Sequence, residues 1–483
     1  MSNAAVNTRA DTDITRRPLA PAVPLHRMPS LILAMQRNII PIVQSLTEQL
    51  GSTIRLSAPG MDMVFITRAE DAERVLVAKQ DIYSKGREYA VPALGLRTGL
   101  VTSTGKRWER DRKMLNPMFA KRHLVPFAAT MAQCTLNMTE RWESLPDGSS
   151  PDIADEMMRV TLDIAAETLF GTHLAEAEIA EIGPAIGEIL KDMFVVGASP
   201  ITWLMQALPG ISLASAAGAH WRARRIRQRV AEMDGMVRGH ISAREHDPNR
   251  PTDDFLAMLL AARGDDRTIS DQEVMAQSLT FLGAGHETTA SGLAWFWHLL
   301  SENPGARAKM LDEIDTVLGG RTPTAADVDN LPWTKACFSE ALRLHPPVYI
   351  SMRSAHQDDV LDGYRIEAGT IVVVLTREVH RDPVNWPDPN RFDPDRFSPA
   401  LAKARPRGAY LPFGGGRRIC IGSQFAVMEG ALIAAIVGQR YVLDPAPGWR
   451  VQEEGATSLR PKGGLPMVLR RRKDAPAIIG ESA

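Results

Sequence analysis

The spacing of apolar residues predicts a chain that is mainly helical. From about residue 120 to 345, apolar residues recur every three to four positions, which is the period of one face of an α-helix. Helix-breaking pairs such as Pro209-Gly210 and Asn303-Pro304 divide this stretch into separate segments. The most apolar segment, from about Ser270 to Leu300, predicts a helix with very little polar face.

Strand patterns are few and short. Ser52 to Ile66 alternates between apolar and polar residues and predicts a hairpin. Gly363 to Val374 predicts two short β segments around a glycine turn, and Val348 to Ala355 predicts an extended stretch. No repeat of about 20–50 residues is visible. The predicted fold class is therefore mainly α with small β-sheets.

Length and composition favour one large folded unit. The chain has 483 residues, but no change in composition divides its middle into separate parts. We predict a flexible proline-rich segment over 1–29, one domain over 30–472 and a polar tail over 473–483. The net charge of −1 provides no overall field that would attract nucleic acid, so no nucleic-acid partner is expected.

The N-terminal region predicts no membrane anchor. Met1 to Pro24 lacks the uninterrupted apolar run of a signal peptide or a membrane span. The amphipathic stretch from Ser30 to Leu46 is interrupted by Gln36, Arg37 and Asn38, which favours a surface helix over an anchor. The chain has three scattered cysteines, too few for a disulfide framework. These features predict a cytoplasmic protein.

One of these cysteines lies in a glycine-rich turn. Cys420 stands within the segment from Phe413 to Gly422, which leads into an apolar helical stretch. Glycines let the backbone approach a flat cofactor and direct amide N–H groups at the sulfur, which lowers the thiol pKa. Phe413 would shield the sulfur from water. Cys420 is therefore a candidate metal ligand, and the alternative is a buried structural cysteine.

The turn resembles the haem-binding loop of the cytochrome P450 superfamily. The pattern Phe-x-x-Gly-x-Arg-x-Cys-x-Gly is complete, and its fixed positions are Phe413, Gly416, Arg418, Cys420 and Gly422. The resemblance implies that Cys420 binds the iron of haem b and that Phe413, Arg418 and Gly422 help to bind the haem. It also implies a triangular helical prism, with the haem between a long oxygen-groove helix and the helix that follows the cysteine.

A second motif lies in the long apolar helix. In the sequence from Ala284 to Thr289, the hydroxyl of Thr288 can bond to the carbonyl of Ala284, and small residues leave room beside the helix. The motif is similar to the oxygen-binding groove of the same family, which implies that Glu287 and Thr288 deliver protons as catalytic residues. A polar stripe on an amphipathic helix is the alternative. His286 falls at the variable position of the motif and is expected to be non-catalytic.

Two further motifs imply a structural network and a binding site for the haem propionates. Glu340, Arg343 and Arg396 match the family's Glu-x-x-Arg pair and the arginine that completes it, so a buried charge triad is expected. The pattern Trp-x-x-x-Arg supplies an indole N–H and a guanidinium, which suit carboxylates. The propionate candidates are Trp108, Arg112, Arg353 and Arg418, although each arginine alone could be a surface residue.

The resemblance covers about residues 30–472 and implies a haem-thiolate monooxygenase of the soluble bacterial type. Such an enzyme activates O2 with electrons from NAD(P)H, delivered by a ferredoxin or flavodoxin and its reductase, and hydroxylates or epoxidises its substrate. Four residues of the long helix share one face and are expected to line the substrate pocket: Thr280, Gly283, Ala284 and Thr288. The remaining candidate walls are Tyr83 to Thr102, Met193 to Leu213, Pro347 to Met352 and Ala456 to Leu459. Most of these residues are apolar, which favours a hydrophobic substrate, such as a terpenoid, steroid-like or fatty molecule. A monomer is expected. The alternatives are a peroxide-using haem-thiolate enzyme and a non-enzymatic haem sensor.

Overall fold

Helices dominate the structure, which confirms the predicted fold class. This computed structural model describes residues 14–171, 176–197, 199–206, 208, 210–246, 254–263 and 269–472. The α-helices of these residues are, in chain order, α1 (Met28–Arg37), α2 (Ile39–Leu50), α3 (Ala69–Glu73), α4 (Pro92–Leu96), α5 (Gly105–Leu115), α6 (Lys121–Leu124), α7 (Phe127–Glu143), α8 (Ile153–Phe170), α9 (Glu176–Gly197), α10 (Pro200–Gln206), α11 (Leu213–Ala219), α12 (Trp221–His246), α13 (Phe255–Arg263), α14 (Asp271–Glu302), α15 (Pro304–Leu318), α16 (Pro332–Leu344), α17 (Thr376–Val379), α18 (Pro399–Ala404) and α19 (Ser423–Arg440).

The strands of the described residues form one five-stranded sheet and three two-stranded ribbons. They are β1 (Thr53–Ala58), β2 (Met61–Ile66), β3 (Tyr83–Ser84), β4 (Ile350–Ala355), β5 (Asp359–Leu361), β6 (Tyr364–Ile366), β7 (Ile371–Leu375), β8 (Tyr441–Pro445), β9 (Glu453–Gly455), β10 (Leu459–Pro461) and β11 (Met467–Arg471). The sheet has the order β1-β2-β7-β4-β3, in which only β2 and β7 are parallel. The ribbons pair β5 with β6, β8 with β11 and β9 with β10.

The predicted strands are confirmed, although two of them join different sheets. β1 and β2 form the predicted hairpin, with Thr53 opposite Ile66 and Ala58 opposite Met61. The two predicted segments after Gly363 are β6 and β7, but β6 pairs with β5 whereas β7 lies inside the five-stranded sheet. All five residues of β7 are buried, which explains its continuous apolar sequence.

The predicted single amphipathic helix over Ser30–Leu46 is two helices. Asn38 separates α1 from α2 with an extended backbone, and its side chain accepts a hydrogen bond from the N–H of Ile40 at 3.2 Å. The same amide donates to the carbonyl of Glu453 at 2.8 Å, so the break is set by a distant segment. Among the described helices, none combines the length and apolar character that crossing a bilayer requires.

Part of the predicted flexible N-terminal segment is hydrogen-bonded to the five-stranded sheet. Within the predicted flexible segment 1–29, the N–H of Arg55 on β1 donates to the carbonyl of Pro21 at 2.8 Å, and the N–H of Val23 donates to the carbonyl of Arg55 at 3.0 Å. Residues 18–23 therefore lie along the sheet. Residues 1–13 and the predicted tail 473–483 lie outside the described residues, so the boundaries stay predictions.

The long central helix α14 was predicted nearly to its ends. Ser270 caps its N-terminus in a reciprocal arrangement with Glu273, in which each side chain bonds to the other residue's backbone N–H. The helix packs mainly against α8 and α16. Because neighbours surround it, most of its residues are buried, and this explains why the sequence shows so little polar face.

The predicted charge triad is confirmed and is named the meander triad below. Arg343 donates to both carboxylate oxygens of Glu340 at 2.6 and 2.8 Å, and Nε of Arg396 lies 3.4 Å from Glu340. Arg343 also donates to the carbonyls of His380, Pro389 and Arg391. The triad thereby fastens the irregular segment after α17 to the end of α16, since one guanidinium satisfies several carbonyls at once.

Candidate active site

The segment before α19 forms a tight turn that presents Cys420. The N–H of Cys420 donates to the carbonyl of Phe413 at 2.9 Å and closes the turn. Gly416 has a φ of +66°, and a Cβ there would collide with the carbonyl oxygen of Leu76. Only glycine therefore fits this position without strain. Cys420 follows at the exposed end of the turn, and Gly422 caps α19.

The sulfur of Cys420 lies where donors and a cation converge. Cys420 is open on one side, but the protein packed around the turn desolvates its sulfur and raises the thiol pKa, whereas the backbone N–H of Gly422 and the guanidinium of Arg112 lower it. Arg112 also donates to the carbonyl of Ile419 at 2.9 Å, which ties α5 to the turn. Among the described residues, no three His, Cys, Asp or Glu side chains form a metal-binding group.

Helix α14 has one face that is open. Between positions 274 and 300 all of its residues are buried with few exceptions. The exceptions are Phe281, Ala284, Gly285, Thr288 and His298. The first four follow the spacing i, i+3, i+4, i+7 and so lie on one side of the helix, named the open face below. The hydroxyl of Thr288 donates to the carbonyl of Ala284 at 2.8 Å, as the sequence predicted.

An aromatic contact connects the open face to the cysteine turn. The ring of Phe119 lies 5.4 Å from the ring of Phe281 on α14, edge to face. The same ring lies 3.8 Å from an ideal Cβ position at Gly422, and that position is 4.0 Å from the sulfur of Cys420. The open face and the turn thus lie on either side of Phe119, so a flat molecule bound by Cys420 would have α14 as a wall.

Glu287 and His286, which flank the open face in sequence, point elsewhere. Glu287 is buried and accepts a hydrogen bond from the hydroxyl of Ser458 at 2.7 Å, while burial raises its pKa. His286 is buried against the carbonyl of Leu282, and burial lowers its pKa to about 4. His286 is therefore neutral near pH 7. The structure brings Thr288, but not the carboxylate of Glu287, to the open face.

Four cations converge beside the turn and form what we call the cation cluster: Lys85, Arg112, Arg353 and Arg418. The neighbouring guanidiniums of Arg353 and Arg112 and, above all, burial lower the pKa of Arg418 to about 10. Its Nη1 is buried without a hydrogen-bond partner, and its guanidinium stacks 4.3 Å from the ring of Trp108. The buried carboxylate of Glu88 acts on Lys85, but one acid does not balance four cations. Such a cluster fits a ligand that carries two carboxylates.

Lys85 and Tyr89 also lie in this region, and the sequence predicted neither of them as a propionate contact. The ammonium of Lys85 donates to the carbonyl of Val101 at 2.6 Å and lies 4.2 Å from the ring centre of Tyr89. Burial, followed by the charges of Arg353 and Arg418, lowers the pKa of Lys85 well below its ordinary value. A lysine before a glycine is common in sequences, so its local pattern contained no signal. Only the pairing of β3 with β4, which carries Arg353, reveals the contact.

The segments expected to form the pocket walls lie against α14 or its neighbours. Leu96 of α4 is 3.4 Å from an ideal Cβ at Gly283, and Pro347 is 3.6 Å from one at Gly292. Met193 of α9 packs against Gly95 so closely that no larger residue would fit there. The side chain of Trp203, which the sequence placed in the same apolar wall, lies outside the described residues.

Comparisons with known proteins agree with this arrangement. A sequence model of the cytochrome P450 family matches residues 21–465. A Mycobacterium tuberculosis protein named as a cytochrome P450, number 132, is 38% identical over 434 residues, which are 87% of this chain and 91% of that protein. Cyclooctatin synthase of Streptomyces melanosporofaciens is 34% identical over 433 residues, which are 88% of this chain and 90% of that protein.

The fold is also that of a solved structure. The crystal structure of the cytochrome P450DA haem domain superimposes with a TM-score of 0.83 and covers 95% of this chain and 99% of that one, at 24% identity. The sequence matches over most of the chain, together with the cysteine turn and the open face opposite it, place this chain in the cytochrome P450 family, and it is a monooxygenase of that family.

Proposed function

We propose that this monooxygenase hydroxylates or epoxidises a hydrophobic small molecule at a haem bound by Cys420, with electrons from a separate redox protein. One observation supports the proposal above the others. A single thiol and a cluster of four cations beside one acid, Glu88, lie near an open face that carries one hydroxyl, Thr288. This set of groups suits a flat dianionic macrocycle with one open metal position.

The residues fit haem b through two kinds of group. Cys420 would bind the iron, with the N–H of Gly422 directed at its sulfur and Phe413 closing the turn. Arg112, Arg353, Arg418, Lys85 and the indole of Trp108 would hold the propionates. Once bound, a thiolate-ligated haem supplies the activation of O2 and its insertion into unactivated C–H bonds.

Thr288 is the proposed catalytic residue on the side of the open face. Its hydroxyl donates to the carbonyl of Ala284, and a hydroxyl held in this way can accept one proton while it passes on another. Glu287 is the proposed source of these protons. Because burial raises the pKa of Glu287, this carboxyl keeps its proton to a higher pH than an exposed carboxyl does, which suits a proton donor.

The substrate is proposed to be apolar and to contain few polar groups. The open face has one polar side chain, and Leu96, Met193 and Pro347 pack around it or its neighbours. A relative from Streptomyces melanosporofaciens, 33% identical over 86% of this chain, is named cyclooctat-9-en-7-ol 5-monooxygenase. A terpenoid is therefore the first class to test, followed by steroid-like and fatty molecules.

The electron donor is proposed to be an acidic ferredoxin or flavodoxin that docks on the cysteine side. Several cations that suggest a basic face in the sequence are already engaged: Arg110 with Asp111 and Glu273, and Arg417 with Asp81. Arg405 stacks on Trp386. Exposed Lys106 and Lys113 on α5 remain the best contacts for an acidic partner. Lys113→Glu should slow reduction by a ferredoxin most at low ionic strength.

The ligand assignment is tested by the optical spectrum. In the reduced carbon monoxide complex, a thiolate-bound haem has a red-shifted Soret band. Cys420→His should abolish this band, whereas Cys134→Ala and Cys337→Ala should retain it, since those two cysteines are buried elsewhere. A red-shifted band that survives Cys420→His would overturn the assignment.

The role of Thr288 is tested by measuring how much product and how much hydrogen peroxide form for each NADPH consumed. A panel of terpenoids, steroids and fatty acids is first screened for displacement of the iron-bound water by its optical shift. With a turned-over compound, Thr288→Ala should consume NADPH with less product and more hydrogen peroxide, while its spectrum and substrate binding stay unchanged. Equal product per NADPH would refute the proton role. Turnover with peroxide alone, at the rate seen with redox partners, would favour the peroxide-using class.

A further inference from the structure

The carboxyl of Glu287 lies on the side of α14 that faces the β9–β10 ribbon. Glu287 is 8% exposed, and the hydroxyl of Ser458 donates to its Oε1 at 2.7 Å. Positions 287 and 288 are about 100° apart around a helix. The carboxyl of Glu287 and the hydroxyl of Thr288 therefore leave α14 in different directions, and the carboxyl has to reorient before the two can exchange a proton.

Ser458 belongs to a turn that is fastened on both sides. It lies between β9 and β10, and its hydroxyl is also 3.1 Å from the hydroxyl of Ser291 on α14. Tyr349 donates to the carbonyl of Ala456 at 2.6 Å, and the indole of Trp295 donates to the carbonyl of Leu459 at 2.9 Å. These hydrogen bonds fix the position of Ser458, and the position of Ser458 in turn fixes the position of the Glu287 carboxyl.

The turn between β9 and β10 is also one of the segments that the sequence places in the substrate pocket wall. Thr457 at its tip is exposed, while Ser458 beside it is buried. A displacement of this turn would carry the hydroxyl of Ser458 with it. Through this hydrogen bond, a movement of the β9–β10 turn, which is a proposed substrate contact, would also move the carboxyl of Glu287, the proposed proton donor.

We infer that Ser458 is a positioning residue for Glu287: its hydroxyl holds the carboxyl against the β9–β10 turn, and the position of that turn sets how readily the acid reaches Thr288. The inference rests on the proposed function. No other described side chain donates a hydrogen bond to this carboxylate, so loss of one hydroxyl removes the restraint.

Few charged groups surround the carboxyl of Glu287, so a change in its pKa can be attributed to the loss of a single hydrogen bond. Burial raises the pKa of Glu287, whereas the hydrogen bond from Ser458 and the guanidinium of Arg460 on β10 lower it. Arg460 is itself paired with Glu454 at 2.9 Å. Tyr349, before β4, faces Glu287 with a phenol that stays protonated, since its pKa is raised. On α14, the adjacent His286 is neutral near pH 7.

The test compares four variants of the holoenzyme: Ser458→Ala, Ser458→Thr, Glu287→Gln and, as the matched control, Ser278→Ala, which removes a buried hydroxyl of α14 that has no hydrogen-bond partner among the described residues. The first readout is the carbonyl stretching band of the protonated carboxyl in pH-induced infrared difference spectra, assigned to Glu287 by its loss in Glu287→Gln. Ser458→Ala should raise the midpoint of this band by about one pH unit, since a bond to the charged form is lost. Ser458→Thr, which retains a hydroxyl, should restore the parent midpoint.

The second readout is the pH dependence of NADPH-driven O2 consumption with surrogate redox partners. Ser458→Ala should shift this profile in the same direction as the infrared midpoint, while Ser278→Ala should leave both unchanged. An unchanged midpoint in Ser458→Ala, or an equal shift in Ser278→Ala, would overturn the positioning role. Loss of the red-shifted carbon monoxide band in the parent protein would instead refute the proposed function itself.

Discussion

The meander triad and the cation cluster differ in how far their charges are balanced within the chain. In the meander triad, Arg343 and Glu340 are fully buried and make two parallel hydrogen bonds, and Arg396 adds a second cation. In the cation cluster, the buried carboxylate of Glu88 acts on Lys85, but it is one negative charge beside four cations, and burial lowers the pKa of both Lys85 and Arg418.

The difference separates a structural network from a binding site. Burying charge costs free energy unless a partner offsets it. The meander triad offsets this cost within the chain, and its arginine also satisfies three backbone carbonyls. The cation cluster keeps an excess of positive charge that Glu88 alone does not balance. Lowered pKa values beside such an excess therefore indicate a site for an anionic ligand.

The largest expected effect comes from breaking the meander triad. Glu340→Ala leaves Arg343 buried with no carboxylate, at a cost of roughly 3–5 kcal/mol. Little folded protein with bound haem should be recovered, and urea unfolding of the remainder should show the loss of stability. Glu367→Ala, at a half-exposed ion pair with Arg55, is the matched control and should cost less than about 1 kcal/mol. Normal expression and haem content of Glu340→Ala would contradict the structural role.

The cation cluster should respond in the opposite way. Arg353→Met removes one buried cation whose described partners include no carboxylate, so the fold should lose little stability. Haem retention should fall, because a hydrogen bond to a charged group contributes about 1.5–3 kcal/mol, or roughly 10- to 150-fold in affinity. The measurement is the rate of haem transfer to excess apomyoglobin. A large loss of stability with unchanged haem transfer would reverse the two assignments.

His380, a buried histidine beside the meander triad, should make the stability of this region depend on pH. Burial, followed by the charge of Arg343, lowers the pKa of His380 to about 3, and its Nε2 accepts the N–H of Leu411 at 2.7 Å. The unfolded chain binds a proton near pH 6.5 that the folded protein does not. Stability should therefore fall as pH decreases from about 6.5 towards 3, by about 1.4 kcal/mol per unit from this group.

His380→Gln should remove that contribution from the pH slope of urea unfolding. The variant is less stable than the parent near neutral pH, because a glutamine does not reproduce the geometry of the ring. What matters is the slope below pH 6.5, which should decrease by about one proton. Identical slopes in the two proteins would contradict the assignment of His380 as a buried neutral group.

The smallest expected effect concerns Lys85. A propionate beside Lys85 would raise the lowered pKa of this lysine, so the haem-bound protein would hold a proton more tightly than the haem-free one. Haem retention should then weaken as pH rises through the region between the two values, by at most about tenfold per unit for one proton. Transfer to apomyoglobin at a series of pH values up to the ordinary lysine pKa of about 10.4 measures this slope. Lys85→Met should flatten it, and a parent without any slope would exclude Lys85 from the site.

Features contained within one element could be predicted from the sequence. The cysteine turn, the i,i+3 pair of Glu340 and Arg343, and the bond from Thr288 to Ala284 all follow from local spacing, because helix and turn geometry decide which neighbours meet. The confirmed limits of α14 follow in the same way from its capping residues and apolar run. The match to a known family then supplied the fold.

Contacts between distant segments required the tertiary structure. The hydrogen bond from Asn38 to Glu453 divides the predicted N-terminal helix, Ser458 restrains Glu287 across 171 positions, and Lys85 joins Arg353 through the sheet. None of these leaves a periodic or spacing signal, since each depends on two surfaces that meet only after packing. The sequence alone therefore determined which chemical groups are present, whereas packing decided which charges are compensated and where the acid of Glu287 is held.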